Sequence, residues 1–362
     1  MERMTIRNAV KALAPYRFTP HSEPIKLDQN ESPDDVPQAV KERVFRHMLE
    51  VPWNRYPHLT PTALEGRLAA RHGWDPAGVV VANGSNTLIQ ALTVVSGIGR
   101  TVVTVTPTFA VYAQQARLLG AQLVEVPLLP GFGLPSADLR SAMADRPGVM
   151  FLANPAAPTG NLFSEAQVED LIEAAGQAML VVIDEAYAEF AGGSLTGLAL
   201  RHPNAVILRT FSKALGLAGA RIGFALAHPD VAESVRKALL PFSVSPWQEA
   251  VAAALLDEPE LVTARVEHAL HERERIRTAL AGLPGIEPFP TSANFILFRT
   301  ADPAGLYRRL LAAGVVIRRQ DHLPGAAGCL RVSVGTTAEN DAFIAACEVA
   351  VMEVPQAHGG DR

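Results

Sequence analysis

Residues 179–221 read MLVVIDEAYAEFAGGSLTGLALRHPNAVILRTFSKALGLAGAR. Two short apolar runs, 179–183 (MLVVI) and 205–209 (AVILR), each lead straight into polar residues. Asp184-Glu185-Ala186-Tyr187 follows the first run, and Thr210-Phe211-Ser212-Lys213 follows the second. Runs that are β-branched and apolar on both faces suit parallel strands covered by helices on either side. Outward from this stretch the pattern repeats at 79–82 (VVVA), 101–105 (TVVTV), 121–126 and 149–153 (VMFLA). Helical stretches at 85–95, 109–119 and 164–175 lie between these runs, the last with Ser164 and Gln167 in capping-box spacing. Strand–helix alternation of this kind predicts an α/β fold, a three-layer, doubly wound and mostly parallel sheet.

The rest of the chain divides around that unit. Residues 1–35 carry Pro15, Pro20, Pro24 and Pro33 and read as an extended N-terminal arm rather than a packed element. Residues 36–259 form the large unit. Residues 260–283 read as one long charged helix that opens a smaller C-terminal α/β unit, 260–362, with strands at 294–298, 315–318 and 329–334 and helices at 303–313 and 337–351. A length of 362 residues agrees with about two domains plus an arm.

Composition narrows the function. A net charge of −5 and a pI near 6.1 give no electrostatic case for nucleic acid. No stretch approaches the ~20 apolar residues of a bilayer span, and the N-terminus lacks the apolar run of a signal peptide. Cys329 and Cys347 have no metal-ligand spacing. The expectation is a soluble, cytoplasmic protein with no metal and no membrane partner. Lysine is scarce, limited to Lys11, Lys26, Lys41, Lys213 and Lys237, so a lysine inside a motif is not there by abundance.

Open parallel sheets bind ligands outside the carboxyl ends of their strands, and the polar residues at those ends are the candidates for chemistry. Asp184 is a helix cap, a metal ligand or the partner of a cationic ring nitrogen. Lys213 lies among small and apolar residues, which favour a partly desolvated, nucleophilic amine. Ser212 and Arg221 offer a hydroxyl and a guanidinium suited to phosphate. Asn154 ends the run 149–153 at the same edge. Gly84-Ser85-Asn86 opens a helix, where backbone N–H groups bind phosphate, although the same triplet also serves as a turn and cap.

The stretches NPAAPTG (154–160), VVIDEAYAEF (181–190) and RTFSKALGLAGARIG (209–223) resemble the motifs of fold-type I pyridoxal-phosphate aminotransferases, in that order and over nearly the whole chain. The resemblance implies that Lys213 carries pyridoxal 5'-phosphate as a Schiff base and shuttles a proton. It implies that Asp184 pairs with the ring nitrogen and that Asn154 and Tyr187 bond the ring O3′. Gly84, Ser85, Asn86, Ser212 and Arg221 would hold the phosphate, and Phe109 would stack on the ring or, equally, be a core residue at a helix start.

Within these enzymes the chain looks most like the histidinol-phosphate aminotransferases. LDQNESP (27–33) resembles their N-terminal motif and contributes Asn30. Tyr16 in APY falls where that group contacts the substrate phosphate, and Tyr56 in NRYP falls where it reaches a neighbouring subunit's cofactor. Arg318 and Arg331, in IRRQ…GCLRVSVGT, fall at its substrate arginines, with Arg319 an alternative to Arg318 on a strand. The resemblance implies transamination between histidinol phosphate and 2-oxoglutarate in histidine biosynthesis by a homodimer with shared sites. An aromatic-amino-acid aminotransferase, or a decarboxylase of the same lineage, is the alternative. Thr87, Phe109 and SPDDV (32–36) depart from the usual pattern and bear on substrate preference. His268, His271 and Glu272 have conceivable metal spacing, but their charged helix face reads as solvated surface. Trp53, Trp74 and Trp247 read as packing or interface residues.

Overall fold

The computed structural model describes residues 5–15 and 21–352. Its large sheet contains β2 (Val79–Ala82), β3 (Thr101–Thr106), β4 (Gln122–Pro127), β5 (Gly148–Ala153), β6 (Met179–Asp184), β7 (Ala205–Thr210) and β8 (Gly223–Leu226). The two-residue β1 (Ile25–Lys26) precedes them in the chain. The sheet order is β2-β8-β7-β6-β5-β3-β4, and every strand is parallel except β8, which runs antiparallel to both its neighbours. β8 was not among the expected strands. The twelve residues joining β7 to β8 contain no crossover helix, and a parallel return would need one.

The apolar character of these strands on both faces has its counterpart in two separate cores, one on each side of the sheet. Val81 and Ile183 face one core, and Val80 and Val182 face the other. The outer edge of β2 is closed by side chains. Glu65 accepts from the Val81 N–H at 3.2 Å, and Arg236 donates to the carbonyls of Ala77 and Val79 at 2.9 and 2.5 Å. Strand pairing with another chain is thereby blocked at that edge.

The smaller sheet is antiparallel, in the order β12 (Arg318–Arg319), β13 (Cys329–Ser333), β10 (Phe295–Thr300) and β9 (Ile286–Pro288). Its core includes Ile276 and Leu280 of the long helix Pro259–Ala281 and Phe343 of the last helix, Thr337–Met352. That long helix is not the solvated element its charges suggest. Glu272 is buried, held by Arg275 at 2.6 Å and by the Asn340 amide at 2.7 Å, and His268 lies 3.0 Å from the Gly335 carbonyl.

The arm also differs from the expectation of an unpacked segment. β1 pairs in parallel with β11 (Val315–Val316), and the Leu27 N–H and carbonyl bond Val316 and Ser333. Leu27, Asp28 and Asn30 are buried. The reason is the unpaired edge of β11, which accepts a passing strand despite the prolines on either side. The strap 25–31 therefore roofs the carboxyl ends of β6 and β7.

Candidate active site

The strand order changes direction between β3 and β5, because the chain moves outward to β4 and returns past β3 to build β5, β6 and β7. Ligands in open α/β sheets bind at such a switch, beyond the strand ends. Here that place is a cavity of about 430 Å³. Asn30, Ser85, Asn86, Phe109, Asp184, Tyr187, Ser212, Lys213, Arg221, Arg318 and Arg331 all line it, although they come from eight separate stretches of chain.

At its inner end Asp184 closes β6, with 5% of its surface exposed. The Tyr112 hydroxyl donates to Oδ2 at 2.7 Å, and the Ala186 N–H donates to Oδ1 at 3.1 Å. Burial pushes the Asp184 carboxyl above the usual carboxylate range, and the Tyr112 and Ala186 bonds pull it back. Tyr112 is wholly buried and stacks on Phe151 at 5.1 Å, while Phe109 meets its edge at 5.6 Å. Burial and then the adjacent Asp184 charge raise the phenol far above its ordinary value, so it stays a donor. Tyr112 escaped the sequence reading, which gave attention in PTFAVY only to Phe109. The one available signal was the three-residue spacing, which puts Phe109 and Tyr112 on one side of the helix Val111–Leu119 and its first turn.

Lys213, half-buried, donates from Nζ to the Gln29 carbonyl at 2.9 Å and lies 5.7 Å from the centroid of the Tyr187 ring. The Tyr187 hydroxyl accepts from the Asn30 amide at 2.9 Å, which leaves its own proton free to donate. Asn30 is bound further by Ser333, whose hydroxyl accepts from the Asn30 N–H at 2.7 Å and donates to Oδ1 at 3.0 Å. Its amide is thus largely engaged within the protein.

The phosphate-suited residues also meet. Gly84 has φ +80, and a Cβ there would lie 2.7 Å from Arg221 Nη2, so the guanidinium rests against a glycine that cannot be replaced without displacing it. Arg221 donates to the Ser212 hydroxyl at 3.2 Å. Ser85 and Asn86 open the helix Ser85–Ser96, whose first N–H groups face the same corner.

At the outer end Arg318 and Arg331 are direct cross-strand partners on β12 and β13, and both line the cavity. Arg319 points away and pairs with Asp321 at 2.6 Å, which settles which of the two adjacent arginines faces inward. Like charges placed opposite one another on a sheet are unfavourable unless an anion lies between them. Arg331 also donates to the Asp28 carbonyl at 2.8 Å. Gln320 and His322 complete this wall and were not anticipated.

Four expected residues are not among those lining the cavity: Gly84, which borders it against Arg221, and Asn154, Tyr56 and Tyr16. Asn154 lies beside it, buried, with its carbonyl accepting from the Phe163 N–H at 2.8 Å and one N–H donating to the Phe163 carbonyl at 3.1 Å, so one N–H remains. Tyr56 is 84% exposed, stacked on Phe242 at 4.9 Å and not part of its own chain's cavity lining. Tyr16 lies outside the described residues. Among the described residues one carboxylate–histidine group has metal-like spacing, Glu169, Glu173 and His202, but Arg201 already bonds Glu169 at 2.8 Å. No helix of the described residues is long and apolar enough to cross a membrane.

The family described as aminotransferase class I and II matches residues 22–346. Histidinol-phosphate aminotransferase of Deinococcus radiodurans is 46% identical over 94% of this chain and 95% of its own length. The enzyme of the same name from Thermococcus kodakarensis is 40% identical over 95% of this chain and 97% of its own. In three dimensions the chain is similar to histidinol-phosphate aminotransferase from Sinorhizobium meliloti in complex with pyridoxal-5'-phosphate. That match has a TM-score of 0.86 and 25% identity, and covers 97% of this chain and 98% of the other. A lysine, a buried aspartate and a facing arginine pair thus share one cavity in a chain that belongs to the aminotransferase class I and II family, and within it to the histidinol-phosphate aminotransferases.

Proposed function

We propose that the protein is a pyridoxal-phosphate-dependent transaminase that moves an amino group between histidinol phosphate and 2-oxoglutarate, a step of histidine biosynthesis. The observation that carries this reading is the Arg318–Arg331 pair, set opposite itself across two strands at the mouth of a cavity that holds Lys213 and Asp184. Histidinol phosphate brings a phosphate and no α-carboxylate, whereas glutamate brings two carboxylates. A guanidinium fork fits either anion, so one pair serves both halves of the cycle.

The cavity suits the cofactor on its own chemistry. Among the described residues the buried Asp184 carboxylate takes its hydrogen bonds from the neutral donors Tyr112 and Ala186 and calls for a cation, and a protonated pyridine nitrogen is one. When bound, pyridoxal phosphate supplies an electron sink for the electrons of the substrate Cα–H bond. Lys213 Nζ would hold the cofactor and, as the amine beside the substrate, would move the proton to and from the substrate Cα. Asp184 keeps the proton on the ring nitrogen. Tyr187, its own proton freed by the Asn30 bond, donates to the ring O3′, as does the remaining N–H of Asn154. Phe109 covers the ring. Gly84, Ser85, Asn86, Ser212 and Arg221 would grip the phosphate, Asn30 stands on the substrate side, and the resemblance assigns Tyr16, outside the described residues, to the substrate phosphate.

Tyr56 is exposed and stacks on Phe242, and Phe45, Leu49, Trp53, Leu59 and Leu240 are exposed apolar side chains as well. Exposed apolar side chains that form a patch mark a protein interface. A second copy of the chain covers them, and each copy's Tyr56 then completes the other's phosphate site. This reading keeps the division into an arm (1–35), a cofactor unit (36–259) and a small unit (260–362), in a cytoplasmic homodimer.

The test is a single half-reaction. The cofactor-loaded protein is mixed separately with histidinol phosphate, glutamate, phenylalanine and aspartate, without keto acid, and the cofactor's absorption band is followed. Rapid conversion with histidinol phosphate and glutamate, and slow conversion with the other two, is the expected result. If phenylalanine reacts as fast, the enzyme is an aromatic or broad aminotransferase. If no band forms with added cofactor, the proposal fails.

A further inference from the structure

Gln248 stands outside the cavity, yet its side chain touches both halves of the phosphate corner. It is 8% exposed, in the first turn of the helix Pro246–Leu256. Its Oε1 accepts from the Ser245 N–H at 2.8 Å, one half of a capping box. Its Nε2 lies 3.0 Å from the carbonyl of Ala220, 3.0 Å from that of Arg221 and 3.1 Å from Asn83 Oδ1. One amide group therefore gathers the residue before Gly84 and the main chain of Arg221.

That grip has a physical reason. Arg221 adopts φ +55, ψ +59, a left-handed conformation that costs a residue with a Cβ free energy. It does so because the short turn from Ala218 to Ala220 must reverse the chain into β8, where Gly223 lies opposite Ala82. The approach there is close enough that a Cβ on Gly223 would meet the Ser85 nitrogen at 2.3 Å. Without a buried donor from outside, the carbonyls of Ala220 and Arg221 would be left unpaired in this strained turn. We propose that Gln248 is a positioning residue for the anion corner, holding the Arg221 turn against the Asn83–Gly84 turn at the spacing a phosphate ester requires. This rests on the cofactor reading above and adds a residue to it.

The cofactor-free protein is titrated with pyridoxal phosphate and with pyridoxal, which lacks the phosphate, and both dissociation constants are read by absorbance. Gln248→Met, apolar and of similar length, is expected to weaken pyridoxal phosphate about tenfold, ~1.4 kcal/mol, while pyridoxal changes less than about twofold on the same scale. Ser245→Ala removes the capping hydroxyl and keeps every Nε2 bond. It is expected to lower the melting temperature and leave the ratio of the two constants as in the wild type. Gln248→Glu keeps the cap acceptor and loses the donors; it should repeat the loss of selectivity and serves if the Met variant does not fold. Equal weakening of both ligands, no weakening of either, or the same loss of selectivity in Ser245→Ala overturns the proposal, since helix integrity alone would then account for Gln248. If the unsubstituted protein itself holds pyridoxal phosphate no more tightly than pyridoxal, the cofactor reading falls, and this proposal with it.

Discussion

The two ends of the cavity are built on opposite terms. At the inner end the chemistry-bearing carboxylate of Asp184 already has its partners, Tyr112 and Ala186, and sits at the end of a strand buried between two cores. At the outer end two guanidinium-bearing residues face one another across short antiparallel strands, Arg318 opposite Arg331. The first arrangement is fixed by neutral donors before a ligand arrives, and what it calls for is a cation that fits it. The second brings like charges together and is completed by whichever anion enters. Such a division of labour suits a ping-pong enzyme, in which one cofactor stays while two different anions take turns.

If that contrast is correct, the largest effect comes from Lys213, which stands between the ends and serves both half-reactions. Lys213→Ala should abolish turnover, while a dissociation constant for pyridoxal phosphate remains measurable by dialysis and absorbance, because the phosphate grip is separate from the lysine. Residual turnover at the wild-type rate would remove Lys213 from its role.

The outer end should break in a graded way. Arg331→Ala should raise the KM of both histidinol phosphate and glutamate by roughly 10- to 100-fold, the loss of one charge-assisted bond of ~1.5–3 kcal/mol. Arg318→Ala should follow it, whereas Arg319→Ala should leave both KM values almost unchanged, because that side chain is occupied by Asp321 outside the cavity. Weakening of only one substrate would show that the two anions do not share a subsite.

The two ends also differ in how far they could be read from the sequence. Lys213, Asp184 and Ser212 follow apolar runs directly, and a residue just past a buried parallel strand has little choice of where to lie. Arg318 and Arg319 could not be told apart, because a two-residue strand carries no alternation to set its register; only pairing with β13 decides it. Tyr112 and Gln248 act through tertiary contacts, across 72 positions in the first case, and nothing in their local sequence distinguishes them from core or capping residues. The arm was misjudged for a related reason. Prolines describe local backbone, and the free edge of β11 that receives residues 25–27 lies some 290 positions further along the chain.

Tyr112 provides the finest test of the inner end. Its hydroxyl favours the ionised form of Asp184 and opposes the upward push of burial. Replacing it with Phe removes that donor while keeping the ring that stacks on Phe151. The folded-state pKa of the Asp184 carboxyl must then rise further, and the charge that holds the ring-nitrogen proton is lost at a higher pH. The acid limb of the kcat profile should therefore move upward in Tyr112→Phe, with its alkaline limb unmoved. At the optimum the fall in kcat should be several-fold, well below the effects at Lys213 or Arg331, and the KM of glutamate should hold, since the arginine pair is untouched. An unchanged acid limb would mean that Ala186 alone suffices to keep Asp184 charged. A raised KM would mean that the inner and outer ends are not independent, and the contrast between them would have to be given up.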